Sequence, residues 1–264
     1  MNMLAMGVDI GSASSKCAII NEATDLVAHS VVSAGTGTSG PQRAVDEALE
    51  TAGVSMESIS CIIATGYGRN TYISADGRIS ELSCHAAGAV WILPDVRTVI
   101  DIGGQDAKAL SISIDGKLAD FVMNDKCAAG TGRFLDVMAR VLDMDVGDLA
   151  AHDEMAASIA PISSTCAVFA ESEVISQLAK NTPVPDLIAG IHKSAASRAA
   201  SLIKRVGATQ PLLMTGGVAK NAGVVRALER ALGAAVLTSP FSQIAGALGA
   251  ALLGIRNPEF GIRN

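Results

Sequence analysis

The sequence predicts an α/β fold made of two related lobes that face one cleft. The first observation is a buried strand that ends in Asp-Ile-Gly and is followed by a returning strand, at residues 3–20. The second is a recurrence of that pattern at residues 98–114. The third is a composition rich in alanine and glycine with only 3% aromatic residues, which suits closely packed helices and strands. A pattern that recurs in this way indicates an internal duplication.

The first predicted lobe spans residues 1–93. Apolar runs indicate its strands at residues 3–10, 17–20, 27–32 and 59–65. Two helices are expected, from about residue 42 to 52 and from about residue 80 to 92. Pro41 lies near the start of the first helix, where proline is tolerated because the first helical amides have no partner within the helix.

The second predicted lobe spans residues 94–264 and is mostly helical after its own hairpin. A strand that begins at Pro211 runs into a Thr-Gly-Gly turn and a helix, and a short strand is expected at residues 235–238. A helix of small residues, beginning at Gln243, closes the chain.

Charge, hydropathy and cysteine usage exclude several classes of partner. The net charge is −6 and no cluster of lysine and arginine is present, which argues against nucleic acid. No apolar run approaches the roughly 20 residues that cross a membrane. The five cysteines are odd in number and irregularly spaced, and the sequence opens on a strand pattern rather than a secretion signal. We therefore expect a cytoplasmic protein whose partners are neither nucleic acids nor membranes.

Each Asp-Ile-Gly turn is a candidate phosphate site. The carboxylates of Asp9 and Asp101 can organise Mg²⁺ through water, while turn amides and hydroxyls bind phosphate oxygens. Lys16 adds a positive charge suited to the β- and γ-phosphates. Gln105 is placed to hold the γ-phosphate or its attacking water, with a solvated turn glutamine as the alternative. Asp101 and Gln105 are thus the candidate catalytic residues, and the candidate phosphate contacts are Asp9, Gly11, Ser12, Ala13, Ser14, Ser15, Lys16, Gly103, Gly104 and Gln105.

The two hairpins and the later Thr-Gly-Gly, in that order and spacing, resemble the phosphate-1, phosphate-2 and adenosine motifs of a large superfamily. This is the superfamily of actin, sugar kinases and heat-shock-chaperone ATPases. The resemblance implies two ribonuclease-H-like lobes around a nucleotide cleft that binds ATP or ADP with Mg²⁺. It also implies that Gly216, Gly217 and Gln243 lie beside the nucleotide, and that the last helix, marked by Gly246, crosses back to the first lobe.

Cys127 and Cys166 carry a separate chemical signal. Each lies among small residues just before a predicted helix, and a helix N-terminus favours the thiolate that binds metal or reacts. A four-iron cluster takes four thiolates, which two identical chains would supply at a two-fold axis. The residues alone leave three interpretations open: a shared cluster, a redox disulfide and two unrelated thiols. Cys17, Cys61 and Cys84 lie in apolar patterns and are expected to be buried.

A second resemblance runs nearly end to end, through residues 36–41, 64–70, 81–85, 99–106, 123–138, 163–177 and 215–219. These stretches closely resemble the activator component of (R)-2-hydroxyacyl-CoA dehydratases, such as that of 2-hydroxyglutaryl-CoA dehydratase, of the BadF/BadG/BcrA/BcrD ATPase type. The resemblance implies a homodimeric ATPase with one [4Fe-4S] cluster held by Cys127 and Cys166 of both subunits. It further implies a 2-hydroxyacyl-CoA dehydratase as the protein that is reduced, and ferredoxin or flavodoxin as the electron donor.

Three alternatives remain beside that expectation. Within the family, the chain would be the ATPase subunit of a benzoyl-CoA reductase. Within the superfamily, it would be a sugar or amino-sugar kinase, which requires a catalytic base and a polyol pocket that the sequence does not reveal. Outside enzymes of metabolism, it would be a nucleotide-switched chaperone module, which needs no iron.

Overall fold

A computed structural model describes residues 3–125, 127–163, 166–257 and 260. The chain divides into two compact units. The first contains the residues up to Val96, residues Ile112–Ala119 and the residues from Ser239 onward, and the second contains Arg97–Ser111 and Asp120–Thr238. Among the described helices, none combines the length and the apolar character that crossing a membrane requires.

The elements follow one another in two similar series. The strands are β1 (Leu4–Ile10), β2 (Ser15–Asn21), β3 (Leu26–Val32), β4 (Ile59–Thr65), β5 (Gly77–Arg78), β6 (Thr98–Ile102), β7 (Ala107–Ile112), β8 (Leu118–Asn124) and β9 (Leu212–Thr215). The α-helices are α1 (Gly40–Ala52), α2 (Glu81–Ile92), α3 (Gly132–Val141), α4 (Leu149–Asp153), α5 (Ala167–Leu178), α6 (Val184–Arg205), α7 (Ala222–Leu232) and α8 (Ala245–Ile255).

The sheet of the first unit has the order β3-β2-β1-β4-β5. β1 pairs antiparallel with β2 and parallel with β4. Because side chains alternate along a strand, Met6, Val8 and Ile10 pack in the core that contains α1, whereas Ala5 packs with α8 on the opposite face. This alternation puts Asp9, at the end of β1, on the same face as Ala5.

The sheet of the second unit has the order β8-β7-β6-β9 and repeats that arrangement. β6 pairs antiparallel with β7 and parallel with β9, as β1 does with β2 and β4. Ile100 and Ile102 of β6 join a core that also contains residues of α3, α5, α6 and α7. Asp101 therefore lies on the face of the sheet opposite to this core.

Two predicted elements need correction. The strand expected at residues 235–238 is wrong: Leu237 forms one isolated bridge with Leu213 of β9. Its amide donates to Leu212 O at 2.9 Å and its carbonyl accepts from Met214 N at 2.8 Å, before the chain turns at Pro240. The last helix begins at Ala245 rather than at Gln243, which lies in a short 3₁₀ turn.

Candidate functional site

The first hairpin, between β1 and β2, surrounds a buried carboxylate. Lys16 Nζ lies 3.2 Å from Asp9 Oδ2. Asp9 Oδ1 is buried and has no hydrogen-bond partner among the described residues. In the same unit, Gln243 Oε1 is also buried without a partner in the described part of the chain. Since buried polar atoms are nearly always hydrogen-bonded, two orphaned oxygens on residues predicted to bind nucleotide fit a site completed by a ligand, a cation or water.

Two glycines form the walls around Asp9. Gly66, directly after β4, has a φ of +84°, and a Cβ there would lie 2.4 Å from Asp9 Oδ1. A Cβ on Gly246 of α8 would lie 3.0 Å from Asp9 Oδ2. The main chain thus approaches both carboxylate oxygens without an intervening side chain, which is the usual reason for glycine beside a ligand site.

The turn residues of the first hairpin differ in their exposure. Gly11 N donates to Ser14 O at 3.0 Å and closes the turn. Ser12 and Ser14 are partly buried, and Ala13 is exposed. Ser15, another predicted phosphate contact, is fully buried, and its hydroxyl donates to the carbonyl of Ala34 at 2.8 Å. The Ser15 hydroxyl therefore donates its hydrogen bond to the main chain of the protein rather than to a ligand.

The second hairpin, between β6 and β7, holds its aspartate more tightly. Gly103 N donates to Asp106 O at 3.0 Å, as in the first turn. Thr215 Oγ1 donates to Asp101 Oδ1 at 3.0 Å. Lys108 Nζ lies 3.4 Å from Asp101 Oδ2 and 2.7 Å from Asp106 Oδ2. Both oxygens of Asp101 therefore have a donor, and Lys108 joins two carboxylates.

The remaining predicted nucleotide contacts of the second unit lie in turns. Gly104 is partly buried and Gln105 is exposed at the tip of the hairpin. Gly216 follows β9 with a φ of +82°, and a Cβ there would lie 2.4 Å from Ile102 O. Gly217, which is exposed, begins a 3₁₀ turn.

Sequence reasoning missed two features of the duplication. Thr65 lies opposite Asp9 in the parallel register, as Thr215 lies opposite Asp101, and each threonine is followed by a glycine with positive φ. Lys108 lies opposite Asp101 as Lys16 lies opposite Asp9. The two lysines were available in the sequence as the seventh residue after each aspartate, whereas the two threonines were visible only as a repeated Thr-Gly at the end of an apolar run.

The loop of Cys127 differs from the prediction. Cys127 was expected at a helix start, but the N-cap of α3 is Thr131, so that part of the prediction is wrong. Gly130, with a φ of +85°, and the Thr131 hydroxyl, which donates to Ala128 O at 2.7 Å, turn the chain before the helix begins. Asn124 Nδ2 donates to the Cys127 carbonyl at 3.0 Å. Lys126, in the same stretch, lies outside the described residues.

The start of α3 is bonded directly to the second hairpin. Gly132 N donates to Gly103 O at 2.8 Å, and Arg133 N donates to Gly104 O at 2.8 Å. These amides belong to the first turn of α3, where the helix itself offers no acceptor. The phosphate-type turn and the loop that carries Cys127 therefore form one hydrogen-bonded unit.

Cys166 is the N-cap residue of α5, as expected. Its thiol and that of Cys127 are free and partly buried, so the structure contains no disulfide between them. Cys17, Cys61 and Cys84 are buried, which confirms their predicted role as small apolar residues. Burial raises the pKa of the Cys17 thiol and raises the pKa of Cys84 to about 12. These two thiols stay protonated and unreactive at neutral pH.

One apolar surface accompanies Cys166. Val168, Phe169 and Ile175 of α5 are 64%, 61% and 53% exposed. Phe121 and Met123, on the edge strand β8, are exposed as well. Several large apolar side chains exposed on one helix, as on α5, commonly mark a surface that binds another protein. We call Val168, Phe169 and Ile175 the α5 face.

Comparison with known proteins decides the family. Residues 6–254 match the BadF/BadG/BcrA/BcrD ATPase family. The chain belongs to this ATPase family. It is 56% identical over 250 residues to the activator of lactoyl-CoA dehydratase from Anaerotignum propionicum, a match that covers 95% of this chain and 96% of that protein.

Two solved structures superpose closely on this chain. One is the activator of the 2-hydroxyisocaproyl-CoA dehydratase from Clostridium difficile with bound ADPNP, with a TM-score of 0.93, 50% identity and coverage of 96% of this chain and 94% of that one. The other is component A of the (R)-2-hydroxyglutaryl-CoA dehydratase from Acidaminococcus fermentans, with a TM-score of 0.93, 54% identity and coverage of 96% and 98%. The predicted resemblance to dehydratase activators is confirmed.

More distant matches test the alternatives. A subunit of the benzoyl-CoA reductase from Thauera aromatica is 33% identical over 219 residues, a match that covers 81% of this chain and 77% of that protein. This lower identity favours the dehydratase activators. A ROK family glucokinase from Streptomyces griseus has a TM-score of 0.59 at 15% identity, with coverage of 96% of this chain and 100% of that one. That likeness concerns the fold alone, and it confirms the predicted fold class of this ATPase family.

Proposed function

We propose that this chain is an ATP-dependent one-electron donor that reductively activates a 2-hydroxyacyl-CoA dehydratase. The observation that carries the proposal is the pair of hydrogen bonds from Gly132 and Arg133 to Gly103 and Gly104. Through these bonds a change at the proposed phosphate-binding turn acts directly on the helix that follows the loop of Cys127.

Proposed phosphate contacts lie in each of the two hairpins. Asp9 would hold Mg²⁺ through water, and its orphaned Oδ1 fits that role. When bound, the ion neutralises negative charge on the phosphates. The turn amides after Gly11 and Gly103 bind phosphate oxygens, Lys16 adds positive charge, and Gln105 is positioned at an exposed turn to orient water. Asp101 anchors the second turn, because Thr215 and Lys108 fix its carboxylate.

The proposed redox site uses Cys127 and Cys166. Of the five thiols, these two are partly exposed and lie in polar loops of the second unit, so the donor set fits an iron–sulfur cluster shared by two subunits. A [4Fe-4S] cluster, when bound, holds the electron that is passed on. Cys166 is the N-cap residue of α5, next to the first helix amides, which have no acceptor within the helix.

A homodimer is the proposed assembly. The α5 face begins two residues after Cys166 and supplies apolar area for a two-fold contact at that place. Burial of Val168, Phe169 and Ile175 would also keep water from the neighbouring thiolates, and solvent exposure is one of the terms that set a cluster potential. Ferredoxin or flavodoxin is the proposed electron donor, and a 2-hydroxyacyl-CoA dehydratase is the proposed acceptor.

The residues of this chain supply the coupling. Closure on a γ-phosphate moves the Gly103–Asp106 turn, and the bonds from Gly132 and Arg133 carry that movement to α3. Movement of α3 alters how the amides and side chains around Cys127 face the sulfur, and such contacts tune a redox centre. ATP hydrolysis therefore drives electron transfer here without phosphorylating an acceptor.

Purification without oxygen, followed by iron, sulfide and ATPase assays, tests the proposal. We expect a brown dimer with about four irons, which hydrolyses ATP in the absence of sugar. Cys127→Ser and Cys166→Ser should each lose the iron, whereas Cys61→Ser, the matched buried control, should retain it. Colourless and iron-free wild-type protein, or equal iron loss in all three variants, would contradict the assignment.

A further inference from the structure

Lys108 is a deeply buried charged side chain of the second unit to which the sequence assigned no role. It is 2% exposed, and its ammonium lies between two carboxylates, 3.4 Å from Asp101 Oδ2 and 2.7 Å from Asp106 Oδ2. A lysine is almost never fully buried unless it is paired, and its desolvation is costly. The fold keeps this charge where an apolar residue would also fit the strand pattern.

Asp106 connects Lys108 to the turn. The Asp106 carbonyl accepts the Gly103 amide at 3.0 Å. A Cβ on Gly103 would lie 2.8 Å from Asp106 Oδ1, so the side chain of Asp106 folds over that glycine. The next carbonyls, of Gly103 and Gly104, accept the first amides of α3 at 2.8 Å. An unbroken series of contacts therefore runs from Asp101 through Lys108 and Asp106 to the helix after Cys127.

We infer that Lys108 is the positioning residue that couples Asp101 to the start of α3. This inference rests on the proposed function and names the side chain that performs its coupling. Lys108 contacts two carboxylates. Any ligand that changes the charge around Asp101 therefore changes the strength of the contact between Lys108 and Asp106. Asp106 also closes the turn by accepting the Gly103 amide. A shift of Asp106 therefore moves the carbonyls of Gly103 and Gly104, which accept the first amides of α3. Lys108 touches no reacting atom, and the proposed coupling runs through its contacts with these two carboxylates.

The equivalent lysine of the first hairpin supports this assignment by contrast. Lys16 contacts the carboxylate of Asp9, and its side chain is 13% exposed. The residue in the first turn that corresponds to Asp106 is Ser14, which carries no charge and therefore offers no second carboxylate at that position. Lys16 thus contacts a carboxylate from a partly buried position, whereas Lys108 joins two carboxylates from a fully buried one.

Amide hydrogen exchange on the full-length protein tests the inference, with and without ADP and Mg²⁺. In the wild type, the amides of Gly132 and Arg133 should be protected. Lys108→Met should accelerate their exchange on the order of tenfold in the nucleotide-free protein, because the turn that accepts them is no longer held. Amides in the centre of α6 should keep their wild-type rates, which separates local release from general unfolding.

Asp106→Asn provides a milder second variant, in case Lys108→Met does not fold. Its side chain is 28% exposed and the Lys108–Asp101 pair remains in place. We expect amide exchange at residues 132–133 to accelerate in this variant as well, but by less than in Lys108→Met. In the nucleotide-free protein, Lys16→Met and Lys117→Met, the latter at a surface lysine that is 80% exposed, should leave these two amides unchanged.

The outcomes separate this inference from the proposed function. Unchanged exchange at residues 132–133 in both Lys108→Met and Asp106→Asn would overturn the role of Lys108, whatever the iron content. Equal acceleration in Lys16→Met would also overturn it, because the effect would then not depend on the bridge. Protein without iron that shows the expected exchange would overturn the redox proposal and leave the coupling by Lys108 in place.

Discussion

The two hairpins have the same frame and hold their aspartates differently. In both, a strand ends in aspartate, the next glycine amide closes a four-residue turn, and a lysine lies opposite the aspartate in the returning strand. In the first, Asp9 contacts Lys16 and keeps one oxygen without a donor among the described residues. In the second, Asp101 accepts from Thr215 and contacts Lys108.

The difference favours different proposed roles for the two aspartates. An orphaned oxygen is available to a cation or its water, so Asp9 suits the ligand-facing role. A carboxylate with both oxygens engaged has a fixed orientation, so Asp101 suits an anchoring role. The second hairpin is also the one whose carbonyls hold α3. The hairpin that contacts the cysteine loop is thus the one whose aspartate has both carboxylate oxygens engaged.

Replacement of the two aspartates should have the largest effects. Asp9→Asn and Asp101→Asn should each lower the ATPase rate on the order of a hundredfold, because each removes a charge on which the phosphate site depends. Only Asp101→Asn should also lower Tm strongly, since it takes one counter-charge from buried Lys108. Iron content should stay at the wild-type level in both. Unchanged turnover in Asp101→Asn would place the phosphate site elsewhere.

The two glycines after the parallel strands give the next effect. Gly66→Ala and Gly216→Ala should each destabilise the protein by about 2 kcal/mol or more, because a Cβ would meet a backbone or carboxylate oxygen at a positive φ. Urea unfolding followed by circular dichroism measures this. Gly53→Ala is the matched control: it also has a positive φ, of +66°, but no atom lies within 4 Å of the added methyl. Its smaller cost would show that close approach, rather than φ alone, decides the difference.

The two threonines should separate anchoring from simple stability. Thr215→Val leaves Asp101 Oδ1 without its donor and should cost about 1–3 kcal/mol of stability, with a lower ATPase rate. Thr65→Val removes a bond to the Ile79 carbonyl and should cost about 1 kcal/mol, with ATPase nearly unchanged. Equal loss of activity in both variants would mean that the hairpins are not differentiated at this position.

The fold class and the two Asp-Ile-Gly hairpins could be predicted from the sequence, because they depend on local patterns. Asp-Ile-Gly after a buried strand predicts a hairpin wherever it occurs, and the second occurrence predicted the second sheet. The helix after Cys127 begins later than predicted, because Gly130 has a positive φ and the N-cap residue is Thr131. That signal, a Gly-Thr-Gly before an apolar helix, was present in the letters.

The contacts of individual side chains could not be predicted in the same way. A lysine at the start of a strand gives no sign in the sequence that it is buried. The burial of Lys108 follows from the register that puts it opposite Asp101. The strand expected near Leu237 failed because pairing depends on the partner strand, β9, which extends only from Leu212 to Thr215. Ser15 likewise belongs to the phosphate motif by sequence, yet its hydroxyl is used by Ala34.

The serines of the first turn therefore give the smallest and finest test. Ser15→Ala should lower stability by about 1 kcal/mol through loss of the bond to Ala34, and the affinity for ATP should not change. Ser14→Ala should do the reverse: Ser14 is partly exposed in the first turn, so ATP affinity should fall several-fold while stability stays within about 0.5 kcal/mol. Nucleotide titration and urea unfolding on the same two variants give both numbers. Weaker ATP binding by Ser15→Ala would mean that its hydroxyl leaves Ala34 for the phosphate, and that the first hairpin, unlike the second, rearranges when nucleotide binds.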